Sequence, residues 1–96
     1  MAAETLQLVV EDDIAIVFDG RVLEVFRSIE GAEPPSVRFL ASRLEIRESE
    51  HKGRALLRLN HRGKYDGRSG LSFPAEQAED AKRLVEALVA AGATRV

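Results

Sequence analysis

The sequence predicts an α+β fold, an antiparallel β-barrel or sandwich of six to seven strands capped by a single C-terminal α-helix. Three observations carry that expectation. Apolar residues recur with period two from Thr5 to Asn60, the mark of strands with one buried face. A hairpin signal, Asp19-Gly20, stands between two such runs. After Pro74 the period switches to helical spacing, and it does so once. A curled sheet leaves an open end, and one helix with one apolar stripe is available to cover it.

Taken in order, Leu6, Leu8 and Val10 alternate first, then Ile14, Ile16 and Phe18, with Glu11-Asp12-Asp13 as a polar turn or bulge between them. Asp19-Gly20 between "IAIVF" and "RVLEVF" predicts a two-residue type I′ turn, which needs positive φ at both central positions. "SIEGAEPPS", residues 28 to 36, carries two adjacent prolines that cannot donate to a ladder, so a loop between sheets is expected there. Val37 and Phe39 lead into a break at Leu40-Ala41-Ser42. Leu44, Ile46 and Glu48 then share one strand face, Glu45 and Arg47 the other. In "RALLRLN", Ala55, Leu57 and Leu59 oppose Leu56, Arg58 and Asn60, and a short strand, "LSF", follows further on. From Ala75 to Ala91, Ala78, Ala81, Leu84, Val85, Leu88 and Val89 repeat at helical spacing. Pro74 suits the first helical turn, Glu76, Glu79 and Asp80 suit the positive end of the dipole, and Gly92 is placed to end the helix.

At 96 residues the chain has room for one core, so residues 1 to 96 read as a single domain. Apolar residues make up 45% and charged residues 31%, the balance of an ordinary globular protein. There is no cysteine, which excludes a disulfide framework and a thiolate zinc site. Met1-Ala2-Ala3-Glu4 has neither a basic nor a long apolar leader segment, and no apolar run approaches the roughly 20 residues that span a bilayer. A cytoplasmic protein without a transmembrane segment is the expectation. Net charge is -2, but Lys52, Arg54, Arg58, Arg62, Lys64 and Arg68 face only Asp66 within residues 51 to 70. A weakly acidic molecule with one basic segment results.

The hairpin "VFDGRVLEVFR", the segment "VRFLASRLEIRE", the strand "GRALLRL" and the strand-to-helix passage "LSFPAEQAEDAKRLVEAL" together resemble a bacterial pleckstrin-homology-like (PH-like) domain. The resemblance runs from about Val10 to Ala91 and rests on hydrophobic spacing, so it speaks to architecture. It implies a PH-like barrel serving as a binding scaffold, with the helix at about 75 to 91. Related domains bind phosphoinositides, peptides or other proteins. Phosphoinositide-binding members place lysines and arginines in the loop between their first two strands. Here the corresponding turns are Glu11-Asp12-Asp13 and Asp19-Gly20, whose acids repel a polyphosphorylated headgroup, so phosphoinositide ranks below protein as a partner.

"HRGKYDGRSG", residues 61 to 70, is the candidate ligand- or partner-binding stretch: Arg62, Lys64 and Arg68 supply charge, Tyr65 a stacking surface, and the glycines close backbone approach. It does not match a P-loop, since Lys64 is followed by tyrosine. Glycine-rich, charged hairpin loops also arise from turn geometry and solubility alone. His51 and His61 flank a strand, which places them at its opposite ends and apart, as solvated loop histidines. Glu11-Asp12-Asp13 lacks the spacing of a calcium loop, and no serine sits in a nucleophile elbow. Neither catalytic, cofactor-binding nor metal-binding residues are assigned. Leu56 falls on the polar face of its strand, and Leu23 and Val25 oppose Val22 and Phe26, so part of the sheet is apolar on both faces. The expected function is a non-enzymatic interaction module that binds a protein partner or self-associates. The second reading is an anionic-ligand or nucleic-acid binder using the 61 to 70 stretch.

Overall fold

The computed structural model describes residues 5–11, 14–27, 36–61 and 70–96. Among the described residues the strands form two sheets of four. The first is a meander, β1 (Leu6–Val10), β2 (Ile14–Phe18), β3 (Val22–Arg27) and β4 (Ser36–Leu40), each strand antiparallel to the one before it. The second has the order β7-β6-β5-β8, with β5 (Leu44–His51), β6 (Arg54–His61) and β7 (Gly70–Phe73) antiparallel. The helix α1 (Ala78–Ala90) follows, and the chain then returns as β8 (Thr94–Arg95), parallel to β5.

Among the described residues this is an α+β fold with one C-terminal helix, as the sequence predicts, and the two sheets agree with the sandwich alternative and not with a closed barrel. Among the described residues the strands number eight, beyond the expected six to seven, because of β8. Two residues are too few to show a period, and Thr94 and Arg95 are both exposed, so no alternation marks them. Their place is fixed by backbone pairing, with the Val96 N–H donating to the Ile46 carbonyl at 2.9 Å, and by the Arg95–Glu48 ion pair at 2.8 Å.

The period-two positions fill the space between the sheets. Leu6, Leu8, Val10, Ile16, Phe18, Leu23, Val25 and Phe39 come from the first sheet. Leu44, Ile46, Leu57, Leu59, Leu71 and Phe73 come from the second, and Ala81, Leu84, Val85, Ala87 and Leu88 from α1. These belong to one cluster, and no polar side chain is buried among the described residues. Each large member adds about 1.5–3 kcal/mol relative to an exposed position.

Turn chemistry sets the registers. The β2–β3 hairpin forms, but its central residues are Gly20 and Arg21, one position later than a type I′ Asp19-Gly20 turn requires. Positive φ occurs at Gly20 (95°), while Asp19 and Arg21 stay outside that region, the φ pattern of a type II′ turn. The reason lies in the Asp19 carboxylate, whose Oδ1 accepts from the Arg21 N–H at 2.9 Å and the Val22 N–H at 2.7 Å. Those two bonds, from Val22 first and then Arg21, hold the carboxyl below the usual aspartate range. A depressed folded-state pKa stabilises the fold above the unfolded value near 3.8 and is lost as pH falls through the lower folded value. Asp19→Ala is therefore expected to lower stability at pH 7, with the difference from the parent disappearing in acid. A stability difference in denaturant titrations that persists unchanged to the acid end contradicts this origin.

The two-residue turn with positive φ at both positions occurs instead between β5 and β6, at Lys52 (52°) and Gly53 (78°). The break after β4 is a 3-10 turn, Ala41–Arg43, whose buried Ala41 donates its N–H to the Arg21 carbonyl at 2.9 Å. That bond ties the passage between the sheets to the β2–β3 turn. Pro74 is buried and extended (ψ 162°) and precedes the helical path without entering it. A 3-10 turn, Ala75–Gln77, comes first, and Gln77 Nε2 donates to the Val9 carbonyl at 2.8 Å, fastening the helix entry to β1. At the other end the Gly92 N–H bonds the Val89 carbonyl and the Ala93 N–H the Leu88 carbonyl, the paired bonds of a Schellman motif. Among the described residues no helix is long and apolar enough to cross a membrane.

Candidate functional site

Arg62, Lys64, Tyr65 and Arg68 lie outside the described residues, as do Asp12, Asp13 and residues 28 to 35. What is described are the strands on which the 62 to 69 segment is mounted and the two outer sheet faces.

The outer face of the first sheet is set by register. Val9 pairs with Ala15 and Ala15 with Phe26, an apolar row across β1, β2 and β3. Val17, two residues along β2, lies diagonal to both Phe26 and Val22, and Val22 pairs with Leu40. The result is an apolar band reaching all four strands, in which Val9 is 59% exposed, Phe26 39% and Leu40 38%. Gln7, paired with Val17, borders it, and one charged inset interrupts it. Arg38 pairs with Glu24 in register and donates Nε to Glu24 Oε2 at 2.8 Å. The glutamate holds the guanidinium above its ordinary pKa, so the inset is charged but neutral as a pair.

The outer face of the second sheet is different. Arg47 pairs with Arg58, Arg58 with Gly70, Ser49 with Leu56, and Leu56 with Ser72. A cavity of about 450 Å³ lies here, lined by Arg47, Ser49, Leu56, Arg58, Gly70 and Ser72 of that face. Ile14, from the start of β2, also lines it, so the first sheet contributes one wall. Next to it Arg54 donates Nε to Ser72 Oγ at 2.7 Å and Nη2 to the Ser72 carbonyl at 3.3 Å, and it pairs with Glu11. Arg54 is thus neutralised. Neither Arg47 nor Arg58 has an ion pair among the described residues.

The histidines sit apart, as their spacing requires: His51 closes β5 beside the Lys52-Gly53 turn, and His61 ends β6 opposite Leu44. His61 is not a solvated loop residue, however. Its ring meets Phe39 of β4 edge-on, centroids 5.3 Å apart, a contact across the rim of the two sheets. No group of three or more His, Cys, Asp or Glu that could hold a metal occurs among the described residues.

Sequence reasoning passed over Arg47, Ser49, Arg58 and Ser72. The usable signal was Lys52-Gly53: a two-residue turn there fixes the β5–β6 register, and that register brings the two arginines together. Leu56, noted in the sequence as apolar on a polar face, sits between Ser49 and Ser72. No protein-family model, curated protein or solved structure matches the chain.

Proposed function

We propose that the chain is a non-enzymatic interaction module of PH-like design, working in the bacterial cytoplasm, and that it binds a protein surface through the outer face of the β1–β4 sheet. The observation that carries this reading is the band Val9–Ala15–Phe26–Val17–Val22–Leu40, apolar across four strands whose other face already fills the core. Scattered exposed aliphatics are ordinary on globular proteins, whereas a contiguous set around an aromatic marks a contact surface. Phe26 is the natural anchor, since aromatic side chains lose little entropy on binding and bury much area. The neutral Glu24–Arg38 pair supplies polar definition at the centre of the face. Two features support the PH-like design: a four-strand meander followed by three antiparallel strands, and a helix after the last of them. A second copy of the chain is the simplest protein partner.

The test compares the parent with Val9→Lys and Phe26→Glu, both at exposed positions. Sedimentation across a concentration series reads self-association, and affinity capture reads a different partner. Phe26→Glu is expected to weaken the association at least about 30-fold, the scale of an interface anchor. Lys82→Glu, on the exposed side of α1, is expected to leave it unchanged. Association that survives both outer-face variants contradicts the assignment.

A further inference from the structure

A second feature lies on the outer face of the β5–β6–β7 strands. Arg47 and Arg58 are direct cross-strand partners on the exposed face of β5 and β6. At such positions Cβ atoms stand about 4.5–5.5 Å apart, and like charges so placed destabilise a sheet. Glu45 shares this face, two residues from Arg47 and diagonal to Arg58, yet neither guanidinium group has an ion pair among the described residues. They border the cavity that Leu56 and Ile14 line with aliphatic surface. From these features we infer a small-molecule site: an oxyanion, phosphate or carboxylate, bridges Arg47 and Arg58, and an apolar moiety attached to it rests on Leu56 and Ile14.

Four details fit that chemistry. The volume, about 450 Å³, falls within the range of small-ligand pockets. Two guanidinium forks on adjacent strands present planar donor sets suited to a carboxylate or phosphate. Ser72 Oγ accepts from Arg54 Nε, so its own proton is left to donate toward an acceptor in the cavity, and Ser49 contributes a second hydroxyl. Gly70 pairs with Arg58 and carries no side chain, which keeps that side of the cavity open. The site differs from a loop-borne one that depends on Arg62, Lys64 and Arg68, because its charge comes from strand residues held by a fixed register.

The experiment titrates the parent chain at low ionic strength with phenyl phosphate, benzoate and inorganic phosphate, following backbone amides by NMR. Saturable shifts at Leu56, Leu57, Arg58, Leu71 and Ser72 are expected, with the phenyl compound of the preferred anion binding more tightly than inorganic phosphate. Whichever of phenyl phosphate and benzoate binds more tightly identifies the anion as phosphate or carboxylate. Arg47→Gln and Arg58→Gln should each weaken binding at least about tenfold. Arg58→Glu separates a ligand role from a structural one: it replaces a like-charged pair with an opposite one, so the melting temperature is expected to hold or rise while binding is lost. Absence of saturable shifts, shifts confined to residues outside the cavity, or undiminished binding by the arginine variants overturns the proposal.

Discussion

Replacing Phe73 with alanine is expected to destabilise the fold by about 3–5 kcal/mol, the range for truncating a fully buried aromatic. Phe73 has 0% exposure, ends β7, and belongs to the same apolar cluster as Leu84, Val85 and Leu88 of the helix. Its removal therefore leaves a cavity where the second sheet passes into Pro74 and the helical path. Small domains have only about 5–15 kcal/mol in total, so this one change takes a large share of it. Each kcal/mol shifts the midpoint by about 4–8 °C in a domain of this size, and the loss should read as a fall of tens of degrees with an unchanged denaturant slope. Phe26→Ala supplies the control. The same residue type, 39% exposed on the outer face of the first sheet, should cost under about 1 kcal/mol. Comparable losses at the two phenylalanines contradict the assignment of inner and outer faces.

Gly92→Ala is expected to cost about 1–3 kcal/mol, the scale of forcing a side chain into a sparsely allowed backbone region. Two independent causes act at that position. Gly92 has φ of 112°, which L-residues rarely adopt, and an added Cβ would stand 3.2 Å from the Ser42 Cα. Ser42 belongs to the 3-10 turn between the sheets, so the obstruction is backbone and cannot rotate away. Asparagine, which tolerates the ordinary left-handed region, should not rescue stability here, because it meets the same contact. Thermal unfolding of Gly92→Ala and Gly92→Asn checks both causes together. Full stability in either variant means that the helix end moves away from Ser42, contrary to the observed packing.

Much of this architecture was legible in the alternation of single residues. Leu6, Leu8, Val10, Ile16, Phe18, Leu44, Ile46, Leu57 and Leu59 were placed on inner faces by period two, and they are buried. Of the helix stripe Ala78, Ala81, Leu84, Val85, Leu88 and Val89 expected from the 3.6 period, the middle four are buried, whereas Ala78 and Val89 at the ends are exposed and Ala87 is buried in addition. Gly92 was legible as a helix terminator for its lack of a Cβ, and its φ of 112° bears that out. Details that depend on competition between side chain and backbone were not. Asp19-Gly20 reads as a type I′ pair until the Asp19 carboxylate is seen to take the Arg21 and Val22 amides, which moves the turn one residue along. The helix start is similar: Pro74 is extended, and the Gln77 side chain acts through a tertiary contact with β1.

The faces tell the same story at the level of function. That Val22 and Phe26 oppose buried Leu23 and Val25 was visible from parity, which left open both a sheet covered on both faces and an exposed patch. That this surface continues through Ala15 to Val9 and through Val22 to Leu40 required the registers. The arginine cavity is further removed from sequence. Arg47 and Arg58 are separated by a turn, Ser72 comes from a third strand and Ile14 from the other sheet. The charge of the glycine-rich stretch at 61 to 70 is contiguous in the chain, whereas the cavity's charge is contiguous only in space.

The most direct test of the interaction module places a photoreactive phenylalanine analogue at position 26 and, separately, at position 82 on the exposed side of α1. Irradiation in lysate of the native cell is then followed by size analysis. A discrete crosslinked species from position 26, whether with a second copy or another chain, and none from position 82, is the predicted result. No product from position 26, or the same products from both positions, contradicts the claim that the outer face of the first sheet is the contact surface.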